Sequence, residues 1–301
     1  MINRFISFLT FEKRYSPHTI EAYRRDIAQL KQYNKDFFQL DDLASASHNE
    51  IRAWVIQMMD KNLESSSINR KMSSVKTYYN FLLREEIITK DPTSKIKKIK
   101  SKKKIPQFIP ENSLQKKLQE YTGTLNKEKH SLDSFHACRN LFCIELLYNT
   151  GIRLSEAVKL SHSNISIPKS QIKVLGKGNK ERIIPLSNSM ANTLTIYLLK
   201  KENEFKEKNP TLIVTDKGKK TYAMHIQSIV KDFLHQEKSV KQKSPHTLRH
   251  SFATHLLNNG ADLNAIKELL GHASLAATQI YTHNSIEKLK NAFDQAHPKA
   301  K

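Results

Sequence analysis

The chain lacks long apolar runs, a cysteine framework and a nucleotide loop, and each absence removes a class of function. None of its 301 residues falls in a run near the ~20 consecutive apolar residues that a membrane helix needs. The opening MINRFISFLTFEKRYSP is apolar in places, but Arg4, Glu12, Lys13 and Arg14 interrupt it and it shows no small-residue cleavage site. It is therefore not read as a secretory signal. The two cysteines, Cys138 and Cys143, lie five apart in an apolar helical stretch. They cannot build a disulfide framework and are expected to pack as small hydrophobes in a reducing cytoplasm. No glycine-lysine-serine/threonine loop is present to cradle a nucleotide. His and Cys pairs at zinc spacing are missing, as are clustered carboxylates for two magnesium ions. His246 and His250 are four apart but have no carboxylate at a fitting spacing. Neither a metal nor a cofactor is expected. Acidic residues are scarce relative to basic ones, 29 against 50, which leaves a net charge of +21. That excess favours a polyanionic partner such as nucleic acid. A lysine-rich proteome with AT-rich codons would give the same count without such a partner.

Glycine is scarce too, at seven residues, and long amphipathic stretches fill the space. A mainly α protein follows. Ser16-Pro17 reads as an N-cap with proline at the first helical position. Ile20, Tyr23, Ile27 and Leu30 then recur at helical spacing. Further helices fit 48–62, around Ile51, Trp54, Val55 and Met58, and 65–88, with Ile68, Met72, Val75, Tyr79 and Leu82 on one face. Phe5, Phe8 and Leu9 in residues 1–15 complete a four-helix set, and no strand signal occurs before residue 90. Residues 91–110 are dense in lysine and carry Pro92, Pro106 and Pro110. They read as a solvated basic linker between domains 1–90 and 111–301, one that could also lie along a phosphate backbone.

In the second domain helical patterns cover 111–121 and 133–150. The period then changes. Ile165–Ile167, Gln171–Leu175 and Arg182–Ile184 read as short strands, the last two joined as a hairpin by Gly176–Lys180. Leu212–Val214 is a candidate further strand, and helices resume at 187–205 and from Tyr222 onward.

With no metal or nucleotide, phosphate chemistry would need a protein nucleophile and cationic side chains. The second domain holds such a set. GIRLSE places Arg153 after a glycine at a helix start, and the hairpin turn presents Lys177. HTLRHSFATHLL puts His246 and Arg249 on one face of a helical turn. LLGHASLAATQIYTH puts His272 after a helix-ending glycine, with Tyr281 nine residues on. Singly these residues have ordinary readings: a surface arginine, a solvated turn lysine, a core tyrosine. Their order and spacing together are distinctive.

TGIRLSEAVKL, VLGKGNKERIIPL, SPHTLRHSFATHLL and LLGHASLAATQIYTH resemble, nearly word for word, the tyrosine recombinase and phage integrase family. RYSPHTIEAYRRDIAQL resembles its N-terminal helical core-binding domain, and YTHNSIEKLKNAFDQAHPKA resembles the Xer subgroup, which resolves chromosome dimers. The resemblance implies a four-helix SAM-like domain plus an α-rich catalytic domain with a small antiparallel sheet. It implies that Tyr281 is the nucleophile, that Arg153, Arg249 and His272 bind the phosphate, that His246 is the base and that Lys177 is the acid. Lys180 and Arg182 are read as DNA-backbone contacts, Glu156 as a structural partner for the active-site helix, and His250 and His255 as structural or DNA-contact residues. The implied partner is duplex DNA with a specific recombination site. The implied assembly is a homo- or hetero-tetramer, with a paralogous recombinase and a DNA translocase as candidate partners. A helix near 285–296, striped by Ile286, Leu289 and Phe293, would dock on a neighbouring subunit or on its own domain. The expected location is the cytoplasm, on the nucleoid. An integrase of a mobile element, a non-catalytic architectural DNA-binding protein and a topoisomerase of the related type are the competing readings.

Overall fold

The computed structural model describes residues 1–100, 107–127, 134–176, 180–205 and 209–271. The chain divides into two compact units, Met1–Lys104 and Ile105–Lys301.

In the first unit α1 (Ile2–Ser7) runs into a π-helical turn, Phe8–Glu12, and is followed by α2 (Pro17–Phe38), α3 (His48–Asp60) and α4 (Ser65–Arg84). Local chemistry sets these ends. The Ser16 hydroxyl accepts the Thr19 N–H at 3.3 Å and Pro17 opens α2. Ser47 and Glu50 form a reciprocal capping box on α3. Helix α4 stops at Arg84, short of the expected 88, because Glu86 takes a left-handed turn at φ 56°. Phe5, Leu9, Ile27, Leu30, Ile51, Val75, Tyr79 and Leu82 are fully buried between the helices.

One charge lies in that core. Asp26 on α2 is inaccessible to solvent and receives both Arg70 nitrogens, at 2.5 and 2.9 Å, and the Ser74 hydroxyl at 2.8 Å. Burial alone raises its pKa, but the hydrogen bonds from Arg70 and Ser74 outweigh burial and hold it below the usual value. The clamp ties α2 to α4. Asp26→Asn keeps the shape but turns a donor toward Arg70. We expect it to destabilise the chain by about 2–3 kcal/mol, less than the ~3–5 of a fully buried pair, because Arg70 is half-exposed. A lowered folded pKa means that this stability is complete above pH ~4 and is lost as pH falls through the folded value. Urea midpoints from pH 7 to pH 3 check this: the wild-type advantage over Asp26→Asn should shrink on acidification.

The expected linker departs from its reading over its first ten residues. Thr93 is buried, and Ile96 and Ile99 pack on the first unit's core while Lys95, Lys97, Lys98 and Lys100 stay exposed. The Asn69 side chain bonds both the N–H and the C=O of Ile99, at 3.0 and 2.9 Å, and Lys76 donates to the Ile96 carbonyl. The Asn69 amide thus satisfies the Ile99 backbone, and Ile96 and Ile99 supply an apolar side that lysine density concealed.

The second unit is built around α6 (Phe135–Thr150), whose residues are nearly all buried. Around it lie α5 (Glu111–Lys127), α7 (Leu154–Lys159), α8 (Asn188–Glu204), α9 (Ala223–Phe233), α10 (Pro245–Asn258) and α11 (Leu263–Leu270). The strands β1 (Ile165–Ser166), β2 (Gln171–Leu175) and β3 (Glu181–Pro185) form an antiparallel sheet in that order, with Ile172 opposite Ile184 and Val174 opposite Arg182. Phe142 of α6 stacks on Tyr197 of α8 at 4.5 Å. Leu212–Val214 is buried but is not a strand: isolated bridges from Thr211 to Ser161 and from Val214 to Lys220 flank it. The Lys201 ammonium donates to the Asn209, Thr211 and Leu212 carbonyls. Among the described residues no helix is long and apolar enough to cross a membrane. The helix expected at 285–296 lies outside the described residues.

Candidate active site

Helix α6 ends at Gly151, whose left-handed φ of 58° turns the chain out of the helix. A Cβ there would clash with the Phe252 ring, so close packing against α10 also demands glycine. Two residues later Arg153 caps α7, and Glu156, at the third helical position, reaches back to the Arg153 backbone N–H at 2.8 Å. Arg249 lies on the buried face of α10, opened by Pro245, and His246 is exposed one turn earlier. Helix α11 ends at Gly271, φ 64°.

Three arginines meet at that helix end. The Arg182 Nε donates to the Leu269 carbonyl at 2.7 Å, the Arg249 Nη2 to Leu270 at 2.7 Å and the Arg153 Nη2 to Gly271 at 3.0 Å. The last carbonyls of a helix have no intrahelical partner and carry its negative dipole end, so each is a natural acceptor for a cation. Arg249 also donates through Nη1 to the Gly151 carbonyl and so links the ends of α6 and α11. Glu156 is the shared anion. Its Oε1 takes Arg153 Nη1 at 2.9 Å and Arg182 Nη1 at 3.1 Å, and its Oε2 takes Arg182 Nη2 at 2.8 Å. Burial raises the Glu156 pKa, but the bonds from Arg182 and Arg153 outweigh burial and keep the carboxylate ionised.

Three guanidinium groups therefore face one carboxylate, an excess of two positive charges in a largely buried site. Burial first, then repulsion from Arg153 and Arg182, pushes Arg249 down to about 10, with Glu156 opposing. It remains charged at neutral pH. A dianionic or trigonal phosphate centre is the complement of such a group: forked donors match its oxygens and its charge relieves the repulsion.

Arg182 corrects the sequence reading. It was expected as a DNA-backbone contact, yet its side chain is 4% exposed and its fork is taken by Glu156. The strand period held the signal: Arg182 and Ile184 alternate onto the buried face of β3, opposite Val174 and Ile172. Lys180 is exposed at the start of the same strand end. His255 is buried between Tyr148, 3.0 Å from Nδ1, and the Ile109 carbonyl, 2.8 Å from Nε2, a structural position, and His250 is partly exposed. Lys177, His272 and Tyr281 lie outside the described residues.

Fold and site together define a two-unit, mainly helical protein whose second unit gathers three arginines at one helix end around a buried carboxylate. The phage integrase family model matches residues 111–288, and the SAM-like N-terminal domain model of phage integrases matches 2–86. The chain is 34% identical to tyrosine recombinase XerC of Chlorobaculum parvum over 98% of this chain and 94% of that protein. It is 33% identical to tyrosine recombinase XerD of Oceanobacillus iheyensis, covering 99% and 98%. Its fold is similar to that of XerH site-specific recombinase bound to palindromic difH substrate (TM-score 0.71, 20% identity, 97% of this chain and 82% of that one). The chain belongs to the phage integrase family, the tyrosine recombinases, whose members cleave DNA and exchange its strands.

Proposed function

We propose that this chain is a site-specific recombinase of the Xer type that acts on duplex DNA in the cytoplasm and resolves chromosome dimers. The observation that carries the reading is the convergence of Arg153, Arg182 and Arg249 on the last carbonyls of α11 around one ionised Glu156. The Tyr281 hydroxyl attacks the scissile phosphorus. A bond forms from its oxygen to phosphorus, the bond from phosphorus to the 5′-oxygen breaks, and a 3′-phosphotyrosine link results. His246 takes the phenolic proton, and Lys177 gives a proton to the departing 5′-oxygen. Arg153, Arg249 and His272 stabilise the charge that grows on the non-bridging oxygens. The link conserves bond energy, so a 5′-hydroxyl can reverse the step without ATP. In this reading Lys180 contacts the DNA backbone, and the chain works as a homo- or hetero-tetramer through a Holliday junction, with a paralogue and a DNA translocase as partners.

A nicked suicide duplex tests the reading. The DNA the wild-type chain holds covalently is recovered from cells and sequenced, and a duplex of that sequence is nicked beside the cleavage point. Incubation should give a protein–DNA adduct stable to denaturation. Recovery of no covalently held DNA from cells, with DNA binding intact, would support an architectural DNA-binding protein instead. Recombination of chromosomal sites in cells separates the Xer role from that of a mobile-element integrase, whose adducts map to element ends.

A further inference from the structure

Arg182 has a built slot. A Cβ on Gly271 would stand 3.2 to 3.4 Å from its guanidinium and Cδ, and one on Gly176 would stand 3.5 Å from its Nη1. The approach at Gly271 is tight, so the absence of a side chain there leaves room for the planar group, while Gly176 lies beside it at ordinary contact distance. From there Arg182 grips Glu156 fork to fork and donates its third nitrogen to the α11 end. It joins the sheet to the start of α7 through Glu156 and to the end of α11, where the other two arginines also donate.

The sharing of Glu156 has a consequence for Arg153. With both carboxylate oxygens facing Arg182, Arg153 makes one side-chain bond to Oε1 and turns its other terminal nitrogen to Gly271. A carboxylate deprived of Arg182 would stay buried and ionised, and its best remaining partner would be the Arg153 fork, bidentate. That pairing would consume the donors a phosphate needs, and loss of the Arg182 cation would itself lower the excess charge of the cluster from two to one.

We propose that Arg182 is a positioning residue for strand cleavage: it occupies Glu156 and so keeps the Arg153 guanidinium available to the scissile phosphate. The proposal rests on the recombinase reading above.

The test uses the full chain and the nicked duplex already defined, with adduct formation rate, duplex affinity and melting temperature measured for each variant. Arg182→Met should form adduct about 100-fold more slowly, the size of losing one transition-state donor, with duplex affinity little changed. Adding Glu156→Gln to Arg182→Met removes the carboxylate that captures Arg153. The double variant should regain about tenfold over Arg182→Met, a coupling opposite in sign to additive damage. Arg182→Lys, which keeps the charge but not the fork and preserves more packing, should fall between wild type and Arg182→Met. Wild-type cleavage by Arg182→Met overturns the proposal and leaves the recombinase reading intact. If the double variant shows no recovery and cleavage falls in step with affinity and melting temperature in both single variants, Arg182 is a fold residue only and the proposal is wrong. Absence of adduct from the wild type overturns the reading beneath it instead.

Discussion

Tyr281→Phe is expected to form no covalent adduct on the suicide duplex while binding it with unchanged affinity. Only the hydroxyl is lost, and no bond to phosphorus can form without it. The second unit contains five tyrosines, Tyr121, Tyr148, Tyr197, Tyr222 and Tyr281, and the structure accounts for three of the others. The Tyr148 hydroxyl is 3.0 Å from the His255 Nδ1 in the core, and the Tyr197 hydroxyl donates to the Leu212 carbonyl at 2.9 Å. Burial pushes both phenols, and that of Tyr121, above the ordinary value, so none supplies a phenolate. Tyr222 is exposed at the start of α9, away from the arginine cluster in sequence and in hydrogen bonding. Tyr222→Phe should cleave normally and serves as the control. A denaturing gel of adduct, read beside a native gel of bound duplex, separates chemistry from affinity. Adduct from Tyr281→Phe would move the nucleophile elsewhere, and Tyr222 would be the next residue to substitute.

The helices were legible because their apolar spacing and caps agree. Ser16-Pro17 marks a start that a local hydrogen bond then confirms, while the Ser47–Glu50 box on α3 emerged only in the structure. The hairpin from Gln171 to Pro185 was legible from its alternating apolar residues and central glycine. Lys201 shows where pattern reading stops. Nothing in the local sequence reveals that its ammonium will be buried against the Asn209, Thr211 and Leu212 carbonyls. The linker misled for a related reason: composition averages over Ile96 and Ile99, and only the tertiary partner Asn69 shows that they dock. At the site, Arg153 and Arg249 could be picked out from the order of their motifs. Arg182 was misplaced because a basic residue near a basic turn reads as solvent-facing, whereas a carboxylate 26 residues away had already claimed it. Identity of residue type is local, and burial of a charge is decided by partners distant in sequence.

Arg249→Ala is expected to slow adduct formation about 10³-fold with little loss of duplex affinity. The magnitude follows from what the side chain does. As a forked donor to a phosphate whose charge grows in the transition state it contributes as an oxyanion-hole donor does, and a 10³-fold loss corresponds to about 4 kcal/mol. Two stability effects act in opposite directions and largely cancel. The Gly151 and Leu270 carbonyls lose their donor, at about 1–3 kcal/mol for a buried group left unpaired. Against this, a buried cation repelled by Arg153 and Arg182 is removed, the same forces that push it down to about 10. The rate therefore falls far more than the melting temperature. Arg249→Lys should recover part of the rate, since a point charge persists, but it cannot reach both carbonyls with a planar fork. The pH profile adds a sign. Arg249 is charged below about 10 and loses its proton above it, so its contribution is constant from pH 6 to 9 and declines only in strong alkali. Any titration of the cleavage rate within that range belongs to another group, and it should persist unchanged in Arg249→Lys. Equal losses of affinity and of cleavage in Arg249→Ala would instead make this arginine an anchor for bound DNA, and the phosphate frame would have to be rebuilt around Arg153 alone.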